Sequence, residues 1–363
     1  MTIHRTPDLS AETLRFLEEL DVLRQDIRYR VDVPARWSGA LRRVLASEAT
    51  RSSTGIEGFR VSEEEALAIA AGRPVPDVDE RTALAIRDYQ AAFDRVVAYG
   101  DDEHFTWTRS TIRELHYLVT QSEERARPGR WRRGGVWITG PENRVIYEGP
   151  AAEVVPALMD ETADWLAEDS SHPIVRAAMA HFHVASIHPF ADGNGRMARI
   201  VQSLVLARER ILHPAFASIE RYLGENTPSY YDALQAAHGS AYDPTTSTAP
   251  WLDFAVRAHR SAAERLVATV AEASRRFDFV TELVAAAKLP ERAPTALDIA
   301  LMGLEVRRDE YRHEHGVGTA AASHDLTALT RLGWLERRGG GRNVHYVATA
   351  TLSERYRSTP GGG

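Results

Sequence analysis

The residues best suited to chemistry lie together in one short segment, His188-Pro-Phe-Ala-Asp-Gly-Asn-Gly-Arg-Met-Ala-Arg199. An apolar helix is predicted to end at His188, and a second helix to begin a few residues later. Between them, the backbone N–H groups of Gly193, Asn194 and Gly195 can form a concave anion site, and the positive end of the second helix adds to the attraction. Glycine is needed because a Cβ would obstruct both the positive-φ backbone and the approach of a phosphate. The segment therefore predicts a phosphate-binding loop.

The side chains around this loop are of the types that phosphoryl chemistry uses. Asp192 offers the hard oxygen ligands that Mg²⁺ prefers. Arg196 and Arg199 can pair with phosphate oxygens through their planar guanidinium groups. His188 titrates near neutrality, so it suits the role of general base for a hydroxyl nucleophile. The alternative is a plain helix–loop–helix connection with charged ends, which would be the better interpretation of a lone glycine-rich turn.

The same segment resembles the signature of the Fic family, H-x-F-x-(D/E)-G-N-G-R-x-x-R, at every specified position. The resemblance implies transfer of AMP from ATP to a Ser, Thr or Tyr hydroxyl of a target protein, with His188 as the base and Asp192 as the Mg²⁺ ligand. It also implies that Asn194 and the glycine amides contact the α-phosphate. Arg196 and Arg199 would hold the β- and γ-phosphates. ATP, Mg²⁺ and a target protein are thus the expected substrate, cofactor and partner.

A second resemblance concerns Ser53-Thr-Gly-Ile-Glu57-Gly58, which is similar to the family's inhibitory motif, (S/T)-x-x-x-E-(G/N). Glu57 held against Arg199 would occupy the place where the γ-phosphate must pair, and Ser53 would help to fix the helix that carries Glu57. The resemblance implies autoinhibition by an N-terminal helix of the same chain. Gly55 is expected to loosen this helix by about 1 kcal/mol relative to alanine. The alternative is that Glu57 is a solvated carboxylate at a helix end.

One segment departs from the helical pattern. From Gly135 to Tyr147, two runs of β-branched and aromatic residues flank a Gly-Pro-Glu-Asn turn, which predicts a β-hairpin. The hairpin resembles the family's flap, which clamps a target segment by strand pairing; an ordinary two-stranded excursion is the alternative. The predicted target-binding residues are Val136, Trp137, Ile138, Val145, Ile146 and Tyr147.

Aromatic residues after the loop include a candidate for the adenine pocket. Tyr231 is the residue we select, and its neighbour Tyr230 is the alternative. An aromatic residue at helical spacing is also common in a core.

The predicted fold class is mainly α: a Fic helical bundle with a β-hairpin flap, followed by a winged helix-turn-helix domain. The predicted domains are an N-terminal helical region with the inhibitory helix (1–100), a Fic catalytic domain (101–288) and a winged-helix domain (289–358). The arginines Arg337, Arg338 and Arg342 surround glycines between two short strands, as expected of a wing over a phosphate backbone. Contact with DNA and contact with protein both remain open for this domain.

Composition narrows the class of protein. The chain has 363 residues, 44 % of them hydrophobic and 26 % charged, which is typical of a soluble protein of two or three domains. With no cysteine, a disulfide scaffold and thiolate catalysis are excluded, and a cytoplasmic setting is expected. The charged first thirty residues do not resemble a secretory signal, and no membrane span is expected. The net charge of −7 argues against a nucleic-acid coat protein.

Two histidines lie close together in the sequence of a predicted helix. His181 and His183 point about 200° apart on a helix, so no zinc site is expected from them. A homodimer is left open.

Two further functions compete with the adenylyltransferase interpretation. The chain could be a nucleotide-sensing DNA-binding regulator whose loop binds ATP without turnover. The presence of both a base and a metal ligand argues against this. It could also be a de-AMPylase in which Glu57 positions a water molecule to remove AMP from modified proteins.

Overall fold

The structure is a computed structural model that describes residues 2–32, 37–140 and 144–359. In chain order the helices are α1 (Ala11–Asp32), α2 (Ser38–Ile56), α3 (Glu63–Ala70), α4 (Glu80–Asp101), α5 (Arg109–Thr120), α6 (Val155–Glu168), α7 (Pro173–Ile187), α8 (Asn194–Arg208), α9 (Pro214–Ala217), α10 (Glu220–Glu225), α11 (Thr227–His238), α12 (Ala249–Ala286), α13 (Ala293–Leu301), α14 (Arg308–Glu314), α15 (Thr319–Arg331) and α16 (Ala350–Arg357). The strands are β1 (Trp137–Thr139), β2 (Val145–Glu148), β3 (Leu335–Arg338) and β4 (His345–Ala348).

The prediction of a mainly helical protein is confirmed. Gly55 lies inside α2, one residue before the helix ends at Ile56. The hydroxyl of Thr54 donates to the Thr50 carbonyl at 2.9 Å, one helical turn back. None of the helices that the structure describes combines the length and the apolar character that crossing a lipid bilayer requires.

Backbone contacts divide the chain into two compact units. Unit 1 comprises Met1–Arg28 and Arg42–Leu266, and unit 2 comprises Tyr29–Leu41 and Val267–Gly363. The three domains predicted from the sequence were defined by function and not by backbone contacts. Their boundaries at residues 100 and 288 stay a prediction.

The centre of unit 1 is the pair of helices α7 and α8. Every residue of α7 from Ala177 to Ile187 is buried, as is every residue of α8 from Arg196 to Ala207. A helix that is buried on all sides belongs to a core, and α8 packs against α4, α5 and α7. Burial of a large apolar side chain such as Phe182 contributes about 1.5–3 kcal/mol. The loop between α7 and α8 is therefore attached to the most rigid part of the unit.

The predicted hairpin is present as the antiparallel pair β1–β2. Trp137 pairs with Glu148 and Ile138 with Tyr147, and the register shifts between Ile138 and Thr139. Residues 141–143, which belong to the predicted turn, lie outside the described residues.

Unit 2 has its own hydrophobic core. Apolar side chains of α12, α13, α14, α15 and the β3–β4 hairpin meet there, among them Val280, Leu297, Tyr311, Leu326, Leu329 and Leu335. Val306, between α13 and α14, forms an isolated bridge with Tyr346 of β4. The Arg276 guanidinium pairs with the buried carboxylate of Asp298 at 2.6 Å.

Candidate active site

The backbone of the loop requires unusual dihedral angles at both ends. α7 ends at His188, which adopts the left-handed conformation (φ 50°, ψ 58°) and donates its N–H to the Val184 carbonyl at 3.0 Å. α8 begins after Gly193 (φ 77°), where a Cβ would lie 2.6 Å from the methyl carbon of Thr120. Both the positive φ and the nearby methyl group require glycine at position 193. The predicted turn between two helices is therefore present.

His116 on α5 packs against the loop. The sequence analysis did not identify this residue. Its ring stacks on that of Phe190, with 3.6 Å between centroids and 1° between planes. The Gly129 N–H donates to Nδ1 at 3.0 Å, so Nε2 carries the proton and donates to the Asp192 carbonyl at 2.9 Å. Burial lowers the pKa of His116 to about 4, which keeps the ring neutral near pH 7.

The side chain of Asn194 braces the loop instead of facing a ligand. Its Oδ1 accepts from the Phe190 N–H at 2.9 Å and its Nδ2 donates to the Phe190 carbonyl at 3.0 Å. The Asn194 side chain is therefore not available for the predicted contact with the α-phosphate. The backbone N–H of Asn194 is available, because the first N–H groups of a helix have no partner within the helix. The Asn194 side chain thus joins the first turn of α8 to the loop at Phe190.

Asp192 is placed as a metal ligand would be. Its side chain is exposed at the edge of the loop, and Oδ1 accepts from the Gly193 N–H at 2.6 Å. Within the described residues, no three acidic or histidine side chains gather into a metal site. Mg²⁺ needs no such cluster when it binds with a nucleotide, since one carboxylate, phosphate oxygens and water complete its shell. The donor set therefore fits Mg²⁺.

Arg196 is held beside the loop by Glu123. Only 2 % of this residue is exposed, and Nη1 lies 2.5 Å from Oε1 of Glu123 and 3.3 Å from the Val119 carbonyl. Its guanidinium carbon also lies 5.3 Å from the centre of the Phe59 ring. The role of Arg196 on a phosphate stays a prediction, and in this structure its Nη1 contacts Glu123 and the Val119 carbonyl. The reason is that the first turn of α8 faces the end of α5, where Glu123 supplies a carboxylate.

The Glu123–Arg196 pair gives a testable effect on stability. Glu123→Gln is expected to lower the free energy of unfolding by about 3 kcal/mol, because removing one partner of a buried ion pair leaves the other charge uncompensated. Glu124→Gln, at the exposed neighbouring position, is the matched control and should change stability by less than about 0.5 kcal/mol. Urea unfolding followed by circular dichroism measures both variants. Equal effects would show that the ion pair does not stabilise the loop.

Arg199 is fully buried and is held by α2. Its Nε donates to Ser53 Oγ at 2.6 Å, and its Nη2 donates to the Ser53 carbonyl at 3.0 Å and to Glu57 Oε1 at 2.7 Å. Burial opposes the charge of Arg199, but the carboxylate of Glu57 outweighs it and raises the pKa of Arg199 above its ordinary value. Glu57 therefore lies against Arg199 as the inhibitory motif implies, and the consequence for activity is a separate question.

Glu57 also covers the start of α8. A Cβ at Gly195 would lie 2.5 Å from Glu57 Oε1 and 3.4 Å from Arg199 Nη1. Glycine at position 195 thus leaves room for an anion against the first turn of α8, and in this structure the anion is the carboxylate of Glu57. A γ-phosphate on Arg199 would require the same space.

His188 is half-buried at the mouth of the loop. Its Nδ1 lies 3.3 Å from the Ala185 carbonyl and is assigned as the donor, so Nε2 is the basic nitrogen. Burial lowers the pKa of His188 from its ordinary value. A neutral imidazole is the form that can accept a proton from a hydroxyl group.

Arg132 joins the base of the hairpin to the loop. Its guanidinium donates to the carbonyls of His188 at 2.8 Å, Gly134 at 2.7 Å and Pro150 at 2.5 Å. The Trp131 ring lies 4.9 Å from that of Phe190. These contacts link the hairpin to the backbone of His188.

The six predicted flap residues do not all face outward. Tyr147 is 1 % exposed, and its hydroxyl donates to the Ser186 carbonyl at 2.7 Å, so it anchors the hairpin to α7 and cannot contact a target. The alternation along the strand places its neighbours on the other face. Trp137 and Val145 are 55 % and 51 % exposed, whereas the remaining three, Val136, Ile138 and Ile146, are half-buried.

The two candidate tyrosines have different environments. Tyr230 belongs to the core, where its hydroxyl lies 3.0 Å from Nε2 of His181. Tyr231 is 48 % exposed and its pKa is raised, first by burial and then by the negative charge of Glu57. The adenine-binding role of Tyr231 stays a prediction.

Comparisons with known proteins find similar sequences and similar folds. Residues 106–206 match the model of the Fic/DOC family. The chain is 29 % identical over 192 residues to Protein adenylyltransferase Fic of Aedes aegypti, covering 51 % of this chain and 36 % of that protein. It is 27 % identical over 241 residues to Protein adenylyltransferase fic-1 of Caenorhabditis elegans, covering 64 % of this chain and 44 % of that protein. The chain thus spans less than half the length of these curated relatives.

Solved structures show the same fold. A crystal structure of a Fic family protein from Desulfovibrio desulfuricans G20 superposes with a TM-score of 0.64 at 23 % identity, covering 96 % of this chain and 98 % of that one. Fic-1 of C. elegans (residues 134–508) superposes with a TM-score of 0.57 at 24 % identity, covering 71 % and 73 %. The class is therefore that of mainly helical proteins with the Fic fold. Within the chain, residues 106–206 are a Fic/DOC-family domain.

Proposed function

We propose that the chain is a protein adenylyltransferase, which transfers AMP from ATP to a hydroxyl group of a target protein and is inhibited by its own Glu57. The observation that carries the proposal is the convergence of His188, the α8 N-terminus and the Glu57–Arg199 pair at one loop. The relatives named protein adenylyltransferases support the same activity.

The proposed reaction assigns each group a step. His188 Nε2 accepts the proton of the target hydroxyl, and the oxygen forms a bond to the α-phosphorus of ATP. The bond from that phosphorus to the oxygen bridging the α- and β-phosphates breaks, and pyrophosphate leaves. The N–H groups of Asn194 and Gly195 hold the α-phosphate at the positive end of α8, since the Gly193 N–H is taken by Asp192 Oδ1. Asp192 would hold Mg²⁺, which when bound neutralises phosphate charge.

Autoinhibition follows from competition for one guanidinium. Arg199 cannot pair with Glu57 and with a γ-phosphate in the same space, since Glu57 Oε1 lies within hydrogen-bonding distance of Nη2 and above Gly195. ATP that binds while Glu57 is in place would lack this contact and adopt an unproductive pose. Withdrawal of Glu57 would then activate the enzyme.

Transfer of AMP can be separated from transfer of phosphate by the position of the label. Protein from the Glu57→Gly variant, incubated with Mg²⁺ and ATP labelled at the α-phosphate, is expected to incorporate label into itself or into lysate proteins. With ATP labelled at the γ-phosphate it should incorporate none. Label from the γ-phosphate would indicate a kinase, and no label from either would contradict the proposed function.

The target is proposed to bind along the β1–β2 hairpin. The exposed Trp137 and Val145 provide apolar contacts, and a strand of the target would pair with the hairpin as an added strand. Tyr147 and Arg132 then serve to hold the hairpin at a fixed distance from His188.

We further propose that unit 2 has a winged-helix arrangement that contacts DNA. The order of α13, the Val306 bridge, α14, α15 and the β3–β4 hairpin supports this arrangement. Arg331 and Arg337 are exposed at the end of α15 and on β3; the side chain of Arg342 lies outside the described residues. A mobility-shift titration in which Arg331→Ala with Arg337→Ala binds duplex DNA as tightly as the parent protein would contradict the proposal.

A further inference from the structure

We propose that a group of arginines beside the β1–β2 hairpin docks an acidic segment of the target protein. The group, called the arginine patch, consists of Arg113, Arg127, Arg130 and Arg133. The inference deepens the proposed function, because it concerns the kind of target that the same site takes. It rests on that function in one respect, namely that the acceptor of AMP is a protein held at the hairpin.

The arginine patch belongs to a part of the chain whose charge differs from that of the whole. The chain has a net charge of −7, yet the stretch from residue 125 to residue 140 contains five arginines and no acidic residue. Arg130 and Arg133 are exposed, as is Arg113 on the neighbouring helix α5, and Arg127 is half-buried. A local excess of positive charge on a negatively charged protein attracts anions to that place.

The charges of the arginine patch are not neutralised within the part of the chain that the structure describes. Another exposed arginine of α5, Arg109, pairs with Asp160 at 3.2 Å. Among the described residues, no carboxylate forms such a pair with a patch arginine. Glu123, which precedes the stretch, is paired with Arg196. The four guanidinium groups are therefore available to an anion from outside the chain.

The backbone beneath the arginine patch is fixed to α5. The Gly129 N–H donates to His116 Nδ1 at 3.0 Å, and the Gly129 carbonyl accepts from Arg113 Nε at 2.7 Å. The Arg130 N–H donates to the Arg127 carbonyl at 3.0 Å, which closes a turn. Gly129 has a φ of 67°, and a Cβ there would lie 3.1 Å from the Arg113 carbonyl oxygen. An ordered backbone lowers the entropic cost of binding a partner.

The arginine patch also adjoins the loop that carries the proposed base. The Arg132 N–H donates to the Pro189 carbonyl at 3.0 Å, and its Nε donates to the His188 carbonyl at 2.8 Å. Arg133 is the next residue, and the chain then enters β1 at Trp137. An extended segment that paired with the hairpin and offered a hydroxyl to His188 would pass the patch. Acidic residues in that segment would be attracted.

A protein segment fits this surface better than a nucleic acid does. The hairpin beside the arginine patch can add an extended peptide through backbone hydrogen bonds, and its Trp137 and Val145 are exposed for apolar contacts. Nucleic acids gain most of their affinity from many phosphate contacts along an extended basic surface. The patch is confined to one turn and the adjoining face of α5, so it suits a short acidic segment.

The test measures binding of labelled peptides and does not need turnover. The probe is a fluorescein-labelled peptide of β-branched residues with one Thr and one Tyr, flanked by glutamates, and a second peptide has glutamine at each glutamate. In fluorescence anisotropy, the Glu57→Gly protein should bind the glutamate peptide about threefold to tenfold more tightly. Arg130→Gln with Arg133→Gln should remove this preference. In about 1 M salt the preference should also disappear, because exposed charges are then screened within about 3 Å.

The matched control removes the same charge elsewhere. Arg42→Gln with Arg257→Gln changes exposed arginines of α2 and α12 and should keep the preference for glutamate. If both double variants lost the preference equally, overall charge would explain it and the proposal would be overturned. A parent protein without any preference for glutamate would overturn it too. So would tighter, patch-dependent binding of a single-stranded oligonucleotide of the same net charge, which would indicate a nucleic-acid site.

Transfer of label separates this inference from the proposed function. With ATP labelled at the α-phosphate, Arg130→Gln with Arg133→Gln in the Glu57→Gly background should raise the KM for the glutamate peptide about threefold to tenfold. The KM for ATP should stay the same. Label transfer with an unchanged KM for the peptide would overturn the arginine patch alone. Patch-dependent binding of the peptide by a protein that transfers no label would support the patch and contradict the proposed function.

Discussion

Replacement of Glu57 by glycine is expected to raise the rate of AMP transfer about tenfold to a hundredfold at a fixed ATP concentration. The Glu57 carboxylate lies 2.7 Å from Arg199 Nη2, and a hydrogen bond between charged groups contributes about 1.5–3 kcal/mol. Each factor of ten corresponds to about 1.4 kcal/mol, so removing this competitor shifts the occupancy of Arg199 by that range. The measurement is the initial rate of incorporation from ATP labelled at the α-phosphate.

Two glutamine variants complete this experiment: the first separates the effect of charge from that of backbone flexibility, and the second is a control. Glu57→Gln keeps the length of the side chain and removes the charge, so it should activate the enzyme in part. Glu64→Gln removes an exposed carboxylate from α3 and should leave the rate at the parent value. If Glu57→Gly were no faster than the parent, inhibition by this contact would be refuted. A Glu57→Gly protein that also lost the ability to remove AMP from a modified target would favour the de-AMPylase alternative.

Loss of His188 is expected to have the opposite effect. His188→Ala in the Glu57→Gly background should lower the rate of AMP transfer by about 10²- to 10⁴-fold, because the target hydroxyl then loses its general base. Binding of an ATP analogue should persist, since the phosphate contacts come from the loop backbone and Arg199. His104→Ala, at an exposed position, is the control and should keep the full rate.

The pH profile of the Glu57→Gly form provides an independent check on the same base. A base works only when it is unprotonated, and burial lowers the pKa of His188. The fall in kcat/KM toward acid pH should therefore occur below the ordinary histidine value of about 6.5. An acid limb centred above that value, or a His188→Ala protein that still transfers AMP at the rate of its parent, would mean that another group removes the proton.

The loop itself was predictable because its glycines and polar residues form one contiguous pattern. The positive φ of Gly193 is a local demand, whereas the space around Gly193 and Gly195 is bounded by Thr120 and Glu57, which are distant in the sequence. The direction of a side chain leaving the loop depends on distant residues. Arg196 turns toward Glu123, 73 positions earlier, and His116 reaches Asp192 across 76 positions. Neither Glu123 nor His116 belongs to a motif, so sequence reasoning had no signal for them.

The same limit explains the outcome at the hairpin and at α2. The alternation that predicted β1–β2 does not state which face packs on the core, and Tyr147 proved to face α7. At α2 the low helix propensity of Gly55 was outweighed by the tertiary contacts of Ser53 and Glu57 with Arg199, so the helix continues past it. Intrinsic propensity is a weak guide where such contacts exist.

The bracing side chains of the loop have a consequence for how related sequences should be interpreted. Phe190 stacks on His116, Asn194 bonds to the Phe190 backbone and Arg196 pairs with Glu123, so these three side chains hold the shape of the loop whether or not any reaction takes place. A descendant that had lost catalysis could retain all three and still fold. Agreement with the signature at these letters therefore reports ancestry and architecture. If the proposed function is right, competence is better judged from His188, Asp192 and Arg199.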